Sequence, residues 1–154
     1  MRSMATRSTL TWSMAAGLVT LASAQTAGSL KHKPTLITRL YTGPDGQTHA
    51  EEIEAKFTVG GPNDVFKLMA IDGAELHRVP PGEVREWHPA PRRRYAITLA
   101  GEEEIEVAGG KKIHFGPGDI QLAEDTTGKG HLSRIIGNVD YVAVFLPLSE
   151  QSGR

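Results

Sequence analysis

The chain of 154 residues contains no cysteine. That excludes disulfides and thiolate ligands, so any metal would have to be held by imidazole and oxygen. Net charge is almost absent too: 17 Lys and Arg stand against 18 Asp and Glu, a formal −1. Such a balance creates no global field to attract nucleic acid or an anionic membrane. The one basic cluster, Arg92-Arg93-Arg94, is too short to change that, and no nucleic-acid partner is expected. There is no apolar run long enough for a permanent membrane span, no convincing helix-period segment, no internal repeat, no low-complexity tract and no coiled-coil heptad.

Glycine and proline, by contrast, are plentiful, at 17 and 9. Many tight turns suit a barrel of short strands better than a helical bundle. With 39% hydrophobic residues the chain can build one core, and its length makes one domain the expectation.

Residues 1–24 read as a signal peptide. Arg2 and Arg7 precede a weakly apolar run from Trp12 to Ala22, and Ala22-Ser23-Ala24 has the small-x-small pattern of a cleavage site. Secretion is therefore expected. The alternative is an organellar transit peptide, since no acidic residue occurs before Asp45. Residues 25–35 read as a linker, and the folded domain as 36–148.

From Leu36 onward, short β-like runs alternate with turn signals. Leu36 to Tyr41 is followed by the turn Gly43-Pro44-Asp45-Gly46 and then by His49 to Val59. Gly60-Gly61-Pro62-Asn63-Asp64 breaks the pattern. Val65 to Ile71 and Ala74 to Val79 read as a hairpin across Asp72-Gly73. The best alternation is Arg94 to Leu99, with Tyr95, Ile97 and Leu99 on one face and Arg94, Ala96 and Thr98 on the other. Glu102 to Val107, Lys111 to Phe115, Asp119 to Ala123, His131 to Ile136 and Asp140 to Leu146 follow. About ten short strands predict an all-β, antiparallel double-sheet barrel.

Two blocks carry the chemistry. The first runs from Pro81-Gly82 through Trp87-His88-Pro89-Ala90-Pro91 to Arg94, Tyr95 and Gly101; the second runs from Gly116-Pro117-Gly118-Asp119 through Glu124-Asp125-Thr126-Thr127-Gly128 to His131. This order resembles the cupin family over roughly residues 65 to 146. The resemblance implies a jelly-roll barrel whose interior normally places three histidines and a glutamate around one metal ion. Gly82, His88 and Gly101 match the spacing of the first cupin motif, Gly118-Asp119 matches the turn of the second, and His131 takes the place of its last ligand. The second histidine position is Ala90, and the glutamate position is Arg94 or Tyr95. Two of the four usual ligands are therefore present.

The metal reading rests on His88 and His131, with Glu124, Asp125 or His49 as the candidate third ligand for Fe, Zn, Mn or Ni. Glu124 and Asp125 also read simply as caps of the Thr126-Thr127-Gly128 loop. His32, His77 and His114 read as surface or hydrogen-bonded residues. Arg94 would put a guanidinium where a metal needs negative charge, and there it could fork onto a carboxylate or phosphate. A salt bridge to Glu86 or Glu124 is its structural alternative. Trp87 is a candidate cavity wall, and Tyr95 and Thr98 are candidate hydroxyl donors. The expected function is binding of a small polar or anionic molecule. It is accompanied either by metal-dependent oxygenase, isomerase or lyase chemistry, or by none, in a metal-free or structural barrel. A homodimer formed through an edge strand is also expected.

Overall fold

The computed structural model describes residues 33–149. The expected signal peptide, and the linker up to residue 32, lie outside the described residues. Those described form ten strands: β1 (Leu36–Thr42), β2 (Thr48–Glu54), β3 (Glu75–Val79), β4 (Val84–His88), β5 (Arg94–Ala100), β6 (Glu102–Glu106), β7 (Lys112–Phe115), β8 (Ile120–Glu124), β9 (His131–Ile136) and β10 (Tyr141–Pro147). They make a six-stranded sheet in the order β2-β1-β8-β5-β10-β3 and a four-stranded sheet in the order β4-β9-β6-β7. β1 and β8 run parallel, and the remaining strand pairs are antiparallel. This is an all-β double-sheet barrel of the jelly-roll type.

Strand alternation decides what lies between the sheets. One core cluster joins Leu40 of β1 to Ile105, Val107 and Phe115. Another joins Val79, Ala96, Tyr141, Ala143 and Phe145 to Ile135. Each draws on both sheets, which therefore pack face to face. At Gly101 the chain leaves the first sheet for the second. Its φ is +70°, and a Cβ there would lie 2.8 Å from the Tyr141 Cα, so only glycine fits the crossing.

The far face of the six-stranded sheet is apolar as well. Ile37, Tyr95 and Leu122 form a third cluster there, covered by Phe66, Leu68 and Met69. This corrects the expected hairpin across Asp72-Gly73. The segment from Val65 to Ile71 makes only isolated bridges, Thr58 to Val65 and Ile71 to Leu148, while β3 pairs with β10. Its apolar residues are used to cover a sheet face, a task that requires no period-2 ladder. For the same reason the expected strand from His49 to Val59 ends at Glu54. The Ala55 amide donates to the Thr35 carbonyl at 2.9 Å, and the chain then departs to form the cover.

Candidate functional site

The polar, small face of β5 is the one that looks into the barrel. Ala96 and Thr98 are buried, and the Arg94 guanidinium lies over the Phe145 ring, its Cζ 4.3 Å from the centroid. Opposite, β9 turns His131 and Ser133 inward and β6 turns Glu103 inward, all three buried. Polar groups from several strands thus converge in a low-dielectric space, where each is costly unless it is partnered.

His88 and His131 are directly opposite in the β4–β9 pairing, and a register shift separates them from the Arg85–Ser133 pair. The shift is a β-bulge. Arg85 and His88 are three residues apart and would face opposite sides of a regular strand, but the bulge puts both on the barrel side, Arg85 exposed beside the small cavity and His88 half-buried. The two imidazoles then stack at a tilt, with centroids 4.7 Å apart and planes at 53°. Gly130 holds them there. At φ +76°, its position would drive a Cβ into the His88 carbonyl and the Pro89 nitrogen, so the absent side chain lets the His131 loop lie against the end of β4.

Hydrogen bonds select the tautomers. The His88 Nδ1 sits 2.7 Å from the Glu86 carbonyl, an acceptor, so Nδ1 carries the hydrogen and Nε2 the lone pair of the neutral ring. The His131 Nδ1 donates to Asp125 Oδ2 at 2.6 Å, and the Thr48 hydroxyl donates to the same oxygen at 2.9 Å. Among the described residues the His131 Nε2 makes no hydrogen bond either. Burial lowers the pKa of His88, opposed by its bond to Glu86, while His131, Arg85 and Arg94 add to the lowering. His88 is accordingly a neutral base at neutral pH.

The other end of the interior is built around Glu103 and Arg94. Burial pushes the Glu103 carboxyl well up, against the opposing pull of His131 and of the nearby Tyr141 and Ser133 hydroxyls. Burial likewise pushes Tyr141 up, with Glu103 adding to it, and the Tyr141 and Thr98 hydroxyls are 3.3 Å apart. Burial lowers Arg94, opposed first by Glu103. Its Nε is buried without a hydrogen-bond partner, and among the described residues no carboxylate lies in ion-pair contact with it. A cavity with room for about one water touches Glu103, Ser133, Tyr141 and Arg85.

Not every expected site residue is brought to this interior. Tyr95 lies in the cluster on the far face of the sheet. His49 is bound to Asp45 at 3.0 Å and tilts against Tyr41, also on the far face. Trp87 carries the Lys129 ammonium on its ring at 3.8 Å. Glu124 is held between Arg39, at 2.5 Å, and Arg93, and Arg94 therefore does not pair with it. Asp125 orients His131 through the bond already described. Among the described residues no group of three His, Cys, Asp or Glu is placed to hold a metal ion. The donor set is two imidazole nitrogens, one short of a protein-held site.

The Glu124 cluster makes its own prediction. Burial raises this carboxyl, but hydrogen bonds from Arg93 and Arg39 outweigh it and hold the pKa below the ordinary value. Its contribution to stability is thus present above the ordinary carboxylate range and is lost as pH falls through the lower folded value. Glu124→Gln should cost about 1–2 kcal/mol in urea unfolding at neutral pH, because both arginines are partly solvated. It should leave the histidine pair's NMR signals unmoved.

Glu103, Tyr141, Ser133 and Thr48 were not among the sequence candidates. A signal for Glu103 was available: it shares parity with Ile105 and Val107 on a strand whose other acidic residues, Glu102, Glu104 and Glu106, alternate outward. A charge in the apolar phase of a strand marks a buried carboxyl. Tyr141 likewise shares parity with Ala143 and Phe145.

No protein-family model matches the chain, and no curated protein does. Among solved structures it is similar to the DMSP lyase DddQ of Ruegeria pomeroyi, with 23% identity, 53% of this chain and 40% of that one covered, and a TM-score of 0.42. It is also similar to a Cupin 2 conserved barrel domain protein of Salinispora arenicola, with 16% identity, 63% and 76% covered, and a TM-score of 0.43. A third likeness is to a predicted oxalate decarboxylase of Thermotoga maritima, with 20% identity, 49% and 65% covered, and a TM-score of 0.39.

Proposed function

We propose that this chain is a cupin-type barrel that binds a small carboxylate in its interior, anchored on Arg94 and flanked by His88 and His131. One observation carries the reading: a guanidinium on the inner face of β5 whose Nε is buried with no partner. The residue is half-buried, and a desolvated N–H with no acceptor is costly to the fold; a ligand carboxylate would supply the missing acceptor and charge. The flat guanidinium presents a fork that matches a carboxylate, and the two imidazoles and the Thr98 hydroxyl offer further polar contacts.

The second reading, a divalent metal at His88 and His131, is favoured by a separate observation. Both rings have Nδ1 engaged and, among the described residues, an Nε2 with no partner, the arrangement that hydrogen-bond partners behind the ring impose on metal-ligating histidines. Because the chain supplies only two donors among the described residues, such an ion would need further oxygens from the ligand. Oxygenase, isomerase or lyase chemistry belongs to that reading alone.

Arg94→Gln separates function from stability. Removing a half-buried guanidinium that has no ion pair among the described residues should leave the melting temperature unchanged or raise it. Acetate or formate binding, followed by NMR titration, should weaken at least tenfold, as loss of a charge-assisted contact worth about 1.5–3 kcal/mol requires. Binding by the native protein should persist in excess chelator. Undiminished affinity in Arg94→Gln would remove Arg94 as the anchor, and loss of binding with chelator would favour the metal reading.

A further inference from the structure

We propose that two copies of this chain join edge to edge through β3, antiparallel and in the register centred on Leu76, so that each six-stranded sheet runs on into its partner's. This goes beyond the anion reading and does not depend on it.

The first observation is an apolar row that runs out to a sheet edge. On the outer face of the six-stranded sheet the register lines up one residue from each strand: Ile53 of β2, Ile37 of β1, Ile120 of β8, Ile97 of β5, Val144 of β10 and Leu76 of β3. The cover formed by Phe66, Leu68 and Met69 packs with the half of the row that holds Ile53, Ile37 and Ile120. The other half emerges from under it toward β3. Leu76, at its end, is 71% exposed, the most exposed large apolar side chain in any of the ten strands.

The second observation is which edge this is. β2 carries Glu51, Glu52 and Glu54, so two copies joined there would gather six carboxylates at one seam. β7 has Lys112 and His114 two residues apart, and a twofold pairing about Ile113 would set them against each other. β4 is broken by its register shift, a device that blunts an edge. β3 is regular over its five residues against β10, and among the described residues no strand pairs with its other side. Its outward N–H and C=O groups are a template for one more strand.

Charge then selects the copy and the register. A twofold axis perpendicular to the sheet keeps each face continuous, so residues of like parity meet across the seam. Centred on Leu76, the pairing sets that leucine against its own copy on the outer face. On the inner face it sets Glu75 against the partner's His77, twice. Glu75 and His77 already meet within one chain at 2.8 Å, so both side chains stand on the same face of β3. Acidic and basic groups directly opposed stabilise a sheet, and like charges opposed weaken it. Centred on His77 instead, the pairing would put two imidazoles together and set Leu76 against Arg78.

Five residues span about 17 Å, a contact at the small end of specific interfaces, so the dimer is weak. Sedimentation equilibrium of the full chain from about 5 to 500 µM should show monomer and dimer together. Leu76→Lys should weaken the association about tenfold or more. Val59→Lys is the control: Val59 is 76% exposed but lies outside β3, and its replacement should change nothing. Glu75→Lys and His77→Glu should each weaken association about fivefold or more, because each sets like groups against each other at two places. An equimolar mixture of these two variants should associate as the native protein does, since in that heterodimer both places again bring acid against base.

A native chain that is monomeric over the whole range overturns the proposal. So does a dimer that Leu76→Lys leaves intact, which would lie on another surface. A mixture of Glu75→Lys with His77→Glu that associates no more tightly than either variant alone rules out the register, and with it the seam.

Discussion

Gly130→Ala should destabilise the barrel by about 2–5 kcal/mol in urea unfolding, and should separate the two imidazoles in whatever folded fraction remains. Two effects add. A residue with a Cβ at φ +76° costs about 1–2 kcal/mol from backbone conformation alone. The greater cost is steric, because the new methyl would overlap the His88 carbonyl and the Pro89 nitrogen. Those atoms are backbone held in the β4–β9 ladder and cannot rotate away, so relief requires the His131 loop to lift off β4, at about 1–3 kcal/mol or more. Gly46→Ala is the control. Its φ is also positive, at +71°, but a Cβ there meets nothing within 4 Å, so only the conformational cost applies. Equal costs for the two substitutions would show that the contact with His88 is not tight.

What could be read from the sequence, and what could not, divides along one physical line. Period-2 alternation in β5 was legible, and so were the turns at Gly43-Pro44-Asp45-Gly46 and Gly116-Pro117-Gly118-Asp119, because these are local properties of the chain. Alternation separates two faces without saying which one looks inward. In β5 both faces are buried, Tyr95 under the cover and Ala96 between the sheets, so the apolar face gave no guide to the interior. The cover itself was invisible, since a segment that lays Phe66, Leu68 and Met69 over a sheet needs neither the helical nor the strand period.

The β4 bulge was hidden for a related reason. Arg85 and His88 have opposite parity, and only the inserted residue puts both on the barrel side, Arg85 still exposed there. The histidine pair itself was anticipated from the spacing of its two motifs. Its partners were less legible: Thr48 lies 77 positions from Asp125, and nothing local to either residue links them. The ion pairs of Glu124 with Arg39 and Arg93 likewise depend on contacts across the sheet, and they explain why a nominal ligand beside His131 is instead a support of the outer face.

Asp125→Ala is expected to be the most damaging polar substitution in the chain, at about 2–4 kcal/mol. Asp125 is fully buried, and its Oδ2 accepts both from His131 at 2.6 Å and from Thr48 at 2.9 Å. Truncation strands two buried donors, at about 1–3 kcal/mol each. Working the other way, Oδ1 has no partner, so the native carboxylate already bears a desolvation cost that truncation removes, and the sum falls below the simple total. Adding Thr48→Val removes one stranded donor, so the double variant should be less destabilised than the sum of the singles by about 1 kcal/mol or more, the coupling expected within one network. The second readout is the ring itself. With the acceptor gone, nothing holds the hydrogen on His131 Nδ1, and ring-nitrogen chemical shifts should move from the Nδ1–H form toward a mixture, while those of His88, held by the Glu86 carbonyl, should not. A His131 tautomer unchanged in Asp125→Ala would mean that another group orients the ring, and Asp125 would then support the barrel without preparing its site.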